Sequence, residues 1–147
     1  MAQPADLQAL IGERNGPSEW LEVDQARVNL FADATEDRQW IHVDPERATA
    51  GPFGGPIAHG YLSLSLIPHL ATGLMPRGDF SAAINYGSNK VRFPTPLPVG
   101  KRVRAWATLT DVAEHPLGFM ITQKVEVEAE GVDKPVCVAE TLALLIP

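Results

Sequence analysis

The chain has 147 residues, 45% of them hydrophobic and 20% charged, a balance that suits one globular domain spanning residues 1–147 and is too apolar for a disordered chain. Its formal net charge of −6 argues against nucleic acid as a partner, because affinity for a phosphate backbone comes from clustered Lys and Arg releasing counterions. Cys137 is the lone cysteine, with neither CxxC spacing nor a Cys/His zinc cluster around it, so a reducing, cytoplasmic compartment fits and no metal is expected.

Met1 to Glu13 shows no basic segment leading into a long apolar run, so no secretory signal is expected, and Ala5 to Gly12 reads as a short first helix. Asn15-Gly16-Pro17 then makes a turn, followed by a short strand over Trp20 to Val23. Asp24 has the character of an N-cap for a helix over Gln25 to Ala34, in which Val28, Phe31 and Ala32 share a face. Asp44 before Pro45 predicts a second cap and a short helix to about Ala50, ended by Gly51-Pro52. After the Phe53-Gly54-Gly55-Pro56 loop comes the longest apolar stretch, Ile57 to Met75. His59, Ser63, Ser65, Pro68, His69 and Gly73 interrupt it too often for a membrane span, and it reads as one long buried helix.

Beyond Met75-Pro76-Arg77-Gly78 the period changes to two. In Phe119 to Glu128 one face carries Phe119, Ile121, Gln123, Val125 and Val127, and the other Met120, Thr122, Lys124, Glu126 and Glu128, as in an antiparallel strand with one buried face. Lys101 to Asp111 and Val136 to Ile146 read as strands of similar length, and Ala82 to Phe93 as another, while Pro94, Pro96 and Pro98 punctuate a connection. Helices and loops first, one long helix, then a run of strands predicts an α+β domain whose sheet curls around the helix.

Asp37 and His42 lie five residues apart between two predicted helices. On a helix they would diverge by about 140°, so they can converge on one substrate only if Gln39 and Trp40 supply a turn. The same residues can equally serve as a turn cap and a packed imidazole. Ile57-Ala58-His59-Gly60-Tyr61 supplies what an acid–base pair would need beside it, a glycine entering an apolar helix whose backbone N–H can stabilise an enolate-like oxygen. His59 suits capping or loop support better than proton transfer, and His69 and His115 suit packing or surface roles. No Gly-x-Ser-x-Gly marks a serine hydrolase; Ser63 and Ser65 read as helix packing. Gly51 to Gly55 lacks the Lys-Ser/Thr of a phosphate loop. Lys90 and Arg92 alternate along a strand and can meet coenzyme A phosphates or simply face solvent, as can Arg102 and Arg104. Asn85, Tyr86 and Asn89 form a polar cluster in the same region.

Phe31-Ala32, then Asp37-Arg38-Gln39-Trp40-Ile41-His42, resembles the motif of the MaoC-like, (R)-specific enoyl-CoA hydratases, which runs aromatic-Ala, a spacer, Asp, x-Asn-Pro-x-His. Val43-Asp44, Ala48, Phe53, Ile57-Ala58-His59-Gly60, Val91-Arg92-Phe93-Pro94 and Pro98-Val99-Gly100 extend the resemblance over most of the chain. Gln39-Trp40 in place of Asn-Pro resembles the subgroup related to nodulation protein N, and Trp40 can narrow or re-aim the pocket. The resemblance implies a hot-dog fold in a homodimer with the active site near the subunit interface. It also implies that Asp37 and His42 hold one water and that Gly60 N–H receives the thioester oxygen. The substrate would be an acyl-CoA or acyl carrier protein thioester, with no metal or redox cofactor. Rival readings are a hot-dog thioesterase or a non-catalytic acyl-thioester-binding subunit.

Overall fold

The computed structural model describes residues 4–75 and 78–147; the chain start and the Pro76-Arg77 part of the predicted helix-to-strand boundary lie outside the described residues. Helices occupy the first half: α1 (Pro4–Gln8), α2 (Gln25–Thr35), α3 (Trp40–Val43), α4 (Pro45–Thr49), α5 (Gly60–Ser65) and α6 (Ile67–Leu70). Two two-residue strands, β1 (Arg14–Asn15) and β2 (Leu21–Glu22), are threaded among them. Four long strands follow: β3 (Ala82–Arg92), β4 (Arg102–His115), β5 (Gly118–Ala129) and β6 (Cys137–Ile146).

Both predicted caps form. Asp24 accepts from Arg27 N at 2.8 Å and starts α2, and Asp44 accepts from Arg47 N at 3.1 Å and starts α4 with Pro45 at its first position. The long helix is divided: α5 and α6 meet at Leu66, since Pro68 has no N–H to offer the Leu64 carbonyl one turn back. Leu66 N still bonds Leu62 O, and Leu70 N bonds Leu66 O, both at 3.0 Å, so the chain keeps its helical sense through the joint. Ahead of α5, Ile57 bridges to Pro98 and Ala58 N bonds Leu97 O at 2.8 Å, so the segment enters the helix as extended chain.

The sheet is antiparallel in the order β1-β4-β5-β6-β3, with β2 also on β4, and the α5–α6 segment packs against it through β6 and β4. This is the α+β hot-dog arrangement. Leu62, Leu66, Ile67 and Leu70 from the helices meet Val103, Ala105, Val125, Val127 and Ala139 from the sheet in the main core. On β5 the predicted face holds, with Ile121, Gln123, Val125 and Val127 all buried. A smaller core at the far end gathers Leu7, Leu109, Val112, Ile121 and Leu145.

Strand β4 runs four residues beyond the predicted Asp111. Its buried residues are odd-numbered from Val103 to Leu109, and then Val112 is buried instead, because a bulge between Leu109 and Asp111 inserts one residue and shifts the buried positions from odd to even numbers. Strand β3 shows no alternation because it is the outermost strand and exposed along most of its length, with irregularities between Asn85 and Gly87 and between Ser88 and Lys90.

Candidate active site

Asp37, His42 and His59 come together: each offers one donor atom, and these lie within 4.8 Å of one another. The approach to Asp37 begins where α2 ends. Thr35 Oγ1 donates to Phe31 O at 2.7 Å and accepts from Asp37 N at 3.4 Å, while Glu36 takes a left-handed conformation, φ 63°, that turns the chain. Gln39 is extended (φ −59°, ψ 141°), and Trp40 opens the helical turn of α3 that carries His42 into the interior. The divergence expected of a continuous helix is thereby removed by an extended residue. The half-buried Trp40 ring lies against Gly51, where an added Cβ would sit 2.9 Å from it, with the Arg47 guanidinium 4.4 Å from its centre.

Backbone carbonyls fix the tautomers of both imidazoles. His42 Nδ1 donates to Ile57 O at 2.6 Å, so in the neutral ring Nε2 is left as an acceptor. His59 Nε2 donates to Asp37 O at 2.8 Å, leaving Nδ1 buried without a hydrogen-bond partner among the described residues. The two rings stack with centroids 3.9 Å apart, and Phe31 leans on His59 at 4.9 Å, which gives the aromatic residue of the Phe31-Ala32 pair its place. Burial is the largest influence on His42 and holds its pKa below the usual 6.5; the Ile57 bond opposes this, His59 adds to it, and Asp37 opposes it. His42 is therefore neutral at physiological pH. Two imidazoles and a carboxylate, each imidazole oriented by a carbonyl, are also a donor set able to hold a divalent ion.

Gly60 follows His59 as the first residue of α5, where backbone N–H groups have no partner within the helix. It packs so closely on Phe93 that an added Cβ would lie 2.9 Å from the ring. Further along α5, an open groove of about 880 Å³ lies between α5–α6 and β3–β6 and is lined by Leu64, Ile67, Phe80, Ala83 and Leu142, with Gln123 among its polar residues; Asp37, His42, His59 and Gly60 do not line it.

Lys90 and Arg92 project from β3 in solvent, and Arg92 Nη1 bonds its own strand at Val91 O. Asn85 and Tyr86 line the groove, and Asn89 donates to Glu140 at 2.7 Å. Arg102 forks onto Glu130, and Arg104 pairs with Glu128 beside Trp20, so these two arginines hold the outer sheet face. Ser63 is buried and Ser65 exposed at the groove; His69 is exposed on α6; His115 ends β4 and accepts from Leu117 N. Sequence reasoning missed Gln25, whose Nε2 donates to His42 O at 2.7 Å. Its place next to an N-cap gave no sign that it would reach 17 residues ahead.

The MaoC like domain family matches residues 6–131. 3-Hydroxyacyl-thioester dehydratase Z of Mycobacterium tuberculosis is 54% identical over 139 residues, covering 94% of this chain and 92% of that protein. Nodulation protein N of Rhizobium meliloti is 43% identical over 143 residues, covering 95% and 89%. Among solved structures, an (R)-hydratase from A. caviae involved in PHA biosynthesis superimposes with a TM-score of 0.75 at 26% identity, covering 93% of this chain and 96% of that one. The hot-dog architecture, the motif around Asp37 and His42, and relatives on both the dehydratase and nodulation protein N branches agree, and the chain belongs to the MaoC-like dehydratase family, as a hydro-lyase.

Proposed function

We propose that the protein catalyses the reversible addition of water to a trans-2-enoyl thioester, giving an (R)-3-hydroxyacyl thioester. The observation that carries this reading is the Asp37–His42 pair, a carboxylate and a neutral imidazole with donor atoms within 4.8 Å and the His42 tautomer fixed by Ile57. One water held between the two would lose a proton to the pair as its oxygen attacks the β-carbon. The pair returns one proton to the α-carbon, so the elements of water are added and nothing else is consumed. The Gly60 N–H would receive the thioester oxygen, whose negative charge grows as the enolate forms. These steps need acid–base groups and an oxyanion donor only, so we read Asp37 and His42 as a water-holding pair.

The groove along α5–α6 has an apolar lining that suits a hydrocarbon tail, and Leu64, four residues after Gly60, is its nearest lining residue in sequence to the proposed oxyanion donor. The long exposed edge of β3, with Ile84 and Tyr86 also exposed, suits pairing with a second copy of the chain as a homodimer. The dehydratase relative is named for a 3-hydroxyacyl thioester, which supports the substrate class; either coenzyme A or an acyl carrier protein can supply the thioester.

The test is loss of enoyl absorbance with crotonyl-CoA, longer enoyl-CoAs and a carrier-protein substrate, with free thiol followed in parallel. Hydration without thiol release is expected, and it should survive chelator. Asp37→Asn and His42→Ala should each abolish most of it. Thiol release, or near-parental hydration by both folded variants, would refute the proposal.

A further inference from the structure

Within the site proposed above, the segment bearing Asp37 is weakly held by its own neighbours. Its local hydrogen bonds, Asp37 N to Thr35 Oγ1 and Gln39 N to Asp37 Oδ1, are both 3.4 Å long. The short bond on this residue comes from across the fold, from His59 Nε2 to the Asp37 carbonyl at 2.8 Å. His59 is 2% exposed and its ring is gripped between His42 and Phe31, so the donor has little freedom. His59 is also the N-cap residue of α5, directly before Gly60.

We propose that His59 is a positioning residue that sets the Asp37 segment against the start of α5, so that the carboxylate and the Gly60 N–H keep one separation. The inference rests on the hydration reading and deepens it. The 2.8 Å bond supports it: an apolar side chain would fill the same space between His42 and Phe31 but has no N–H to give the Asp37 carbonyl. Misplacement of a reacting group by about 1 Å can cost roughly 10²-fold in rate, so the loss of one such tie is measurable in kcat.

His59→Leu keeps bulk and removes the donor, whereas His59→Gln places an amide N–H near the position of Nε2. The expected result is a kcat loss of ~10- to 100-fold in His59→Leu with KM changed much less, and recovery of most of that loss in His59→Gln. Because His59 acts through Asp37, adding His59→Leu to Asp37→Asn should lower the residual rate less than threefold, roughly, since coupled groups are non-additive. Should His59→Leu fail to fold, His59→Asn, with a donor on a shorter arm, should lose kcat against His59→Gln at equal melting temperature. Equal kcat in the leucine and glutamine variants, equal kcat in the asparagine and glutamine variants, or a full further loss on the Asp37→Asn background would overturn the proposal. Near-parental activity of Asp37→Asn itself would instead refute the hydration mechanism, which separates the two failures.

Discussion

Gly60→Ala tests how closely the start of α5 is fitted to its surroundings. The new Cβ would lie 2.9 Å from Phe93 Cδ2 and 3.0 Å from Cε2 and Cγ. Non-bonded carbons rest at about 3.5–4.0 Å, so the ring or the helix start must yield by roughly 0.5–1 Å. Phe93 is 40% exposed and meets Tyr61 edge-on at 6.0 Å, so the ring can swing only by giving up that contact. The cost in stability should fall near the low end of overpacking, about 1 kcal/mol, or a Tm lower by about 2–4 °C. The cost in activity should be larger, because any share of the displacement taken by the helix moves the Gly60 N–H, and kcat/KM should fall by ~10- to 100-fold. Thermal melts and the crotonyl-CoA assay on the parent, Gly60→Ala, Phe93→Ala and the double variant measure both. Removing the ring should restore most of the activity that the alanine takes away. A Gly60→Ala enzyme within threefold of its parent, or a double variant no better than Gly60→Ala, would refute the close-fit reasoning.

His42 gives a pH prediction. Its folded pKa lies below 6.5, so activity that depends on the neutral ring should persist below that pH and fall only as pH drops through the depressed value. Between these two pKa values the unfolded chain binds the extra proton, so stability should rise with pH across that window. His42→Gln should flatten the slope in pH-dependent urea titrations. Ile121 is 0% exposed in the smaller core, and Ile121→Ala should cost about 3 kcal/mol, on the order of 10 °C in a calorimetric Tm. Burial pushes the Cys137 thiol up to about 11, so a thiol reagent at pH 8 should label the folded protein slowly and the urea-unfolded protein at once.

The features legible in the sequence were those written in local chemistry. Asp24 and Asp44-Pro45 announced their helices because a cap needs only the next three residues, and the β5 alternation survived because β5 pairs with β6 in unbroken register and the extra residue of the bulge opposite Gln123 lies on β4. Asp37 and His42 were legible as a pair, with Gly60 beyond them. Features that depend on distant partners were hidden. Nothing local shows that Ile57 O would hold His42, that Gln25 would hold its carbonyl, or that His59 would reach back 22 residues to Asp37 O. The Leu66 joint was in principle visible in Pro68, but the apolar pattern around it is continuous enough to read as one helix. Strand β3 has no buried face to impose a period, so its pattern carries little information.

The bulge beside Thr110 gives β4 one residue more than its partner needs, and with it the buried positions pass from odd-numbered Leu109 to even-numbered Val112, both in the smaller core. In terms of chain length rather than side chains, β4 tolerates a change in count poorly outside that bulge. A one-residue deletion at the bulge would restore an even ladder with Leu109 still opposite Gln123 and Val112 still opposite Ile121, whereas a one-residue deletion within the regular Val103–Leu109 run would bring Thr108 inward and turn Leu109 out. Deletions of the same size at the exposed 131–134 turn between β5 and β6 shift no paired residue across the sheet. A library of single-residue deletions should therefore show a tolerant position at Thr110 and its deepest loss of folded protein in the regular Val103–Leu109 run just before it.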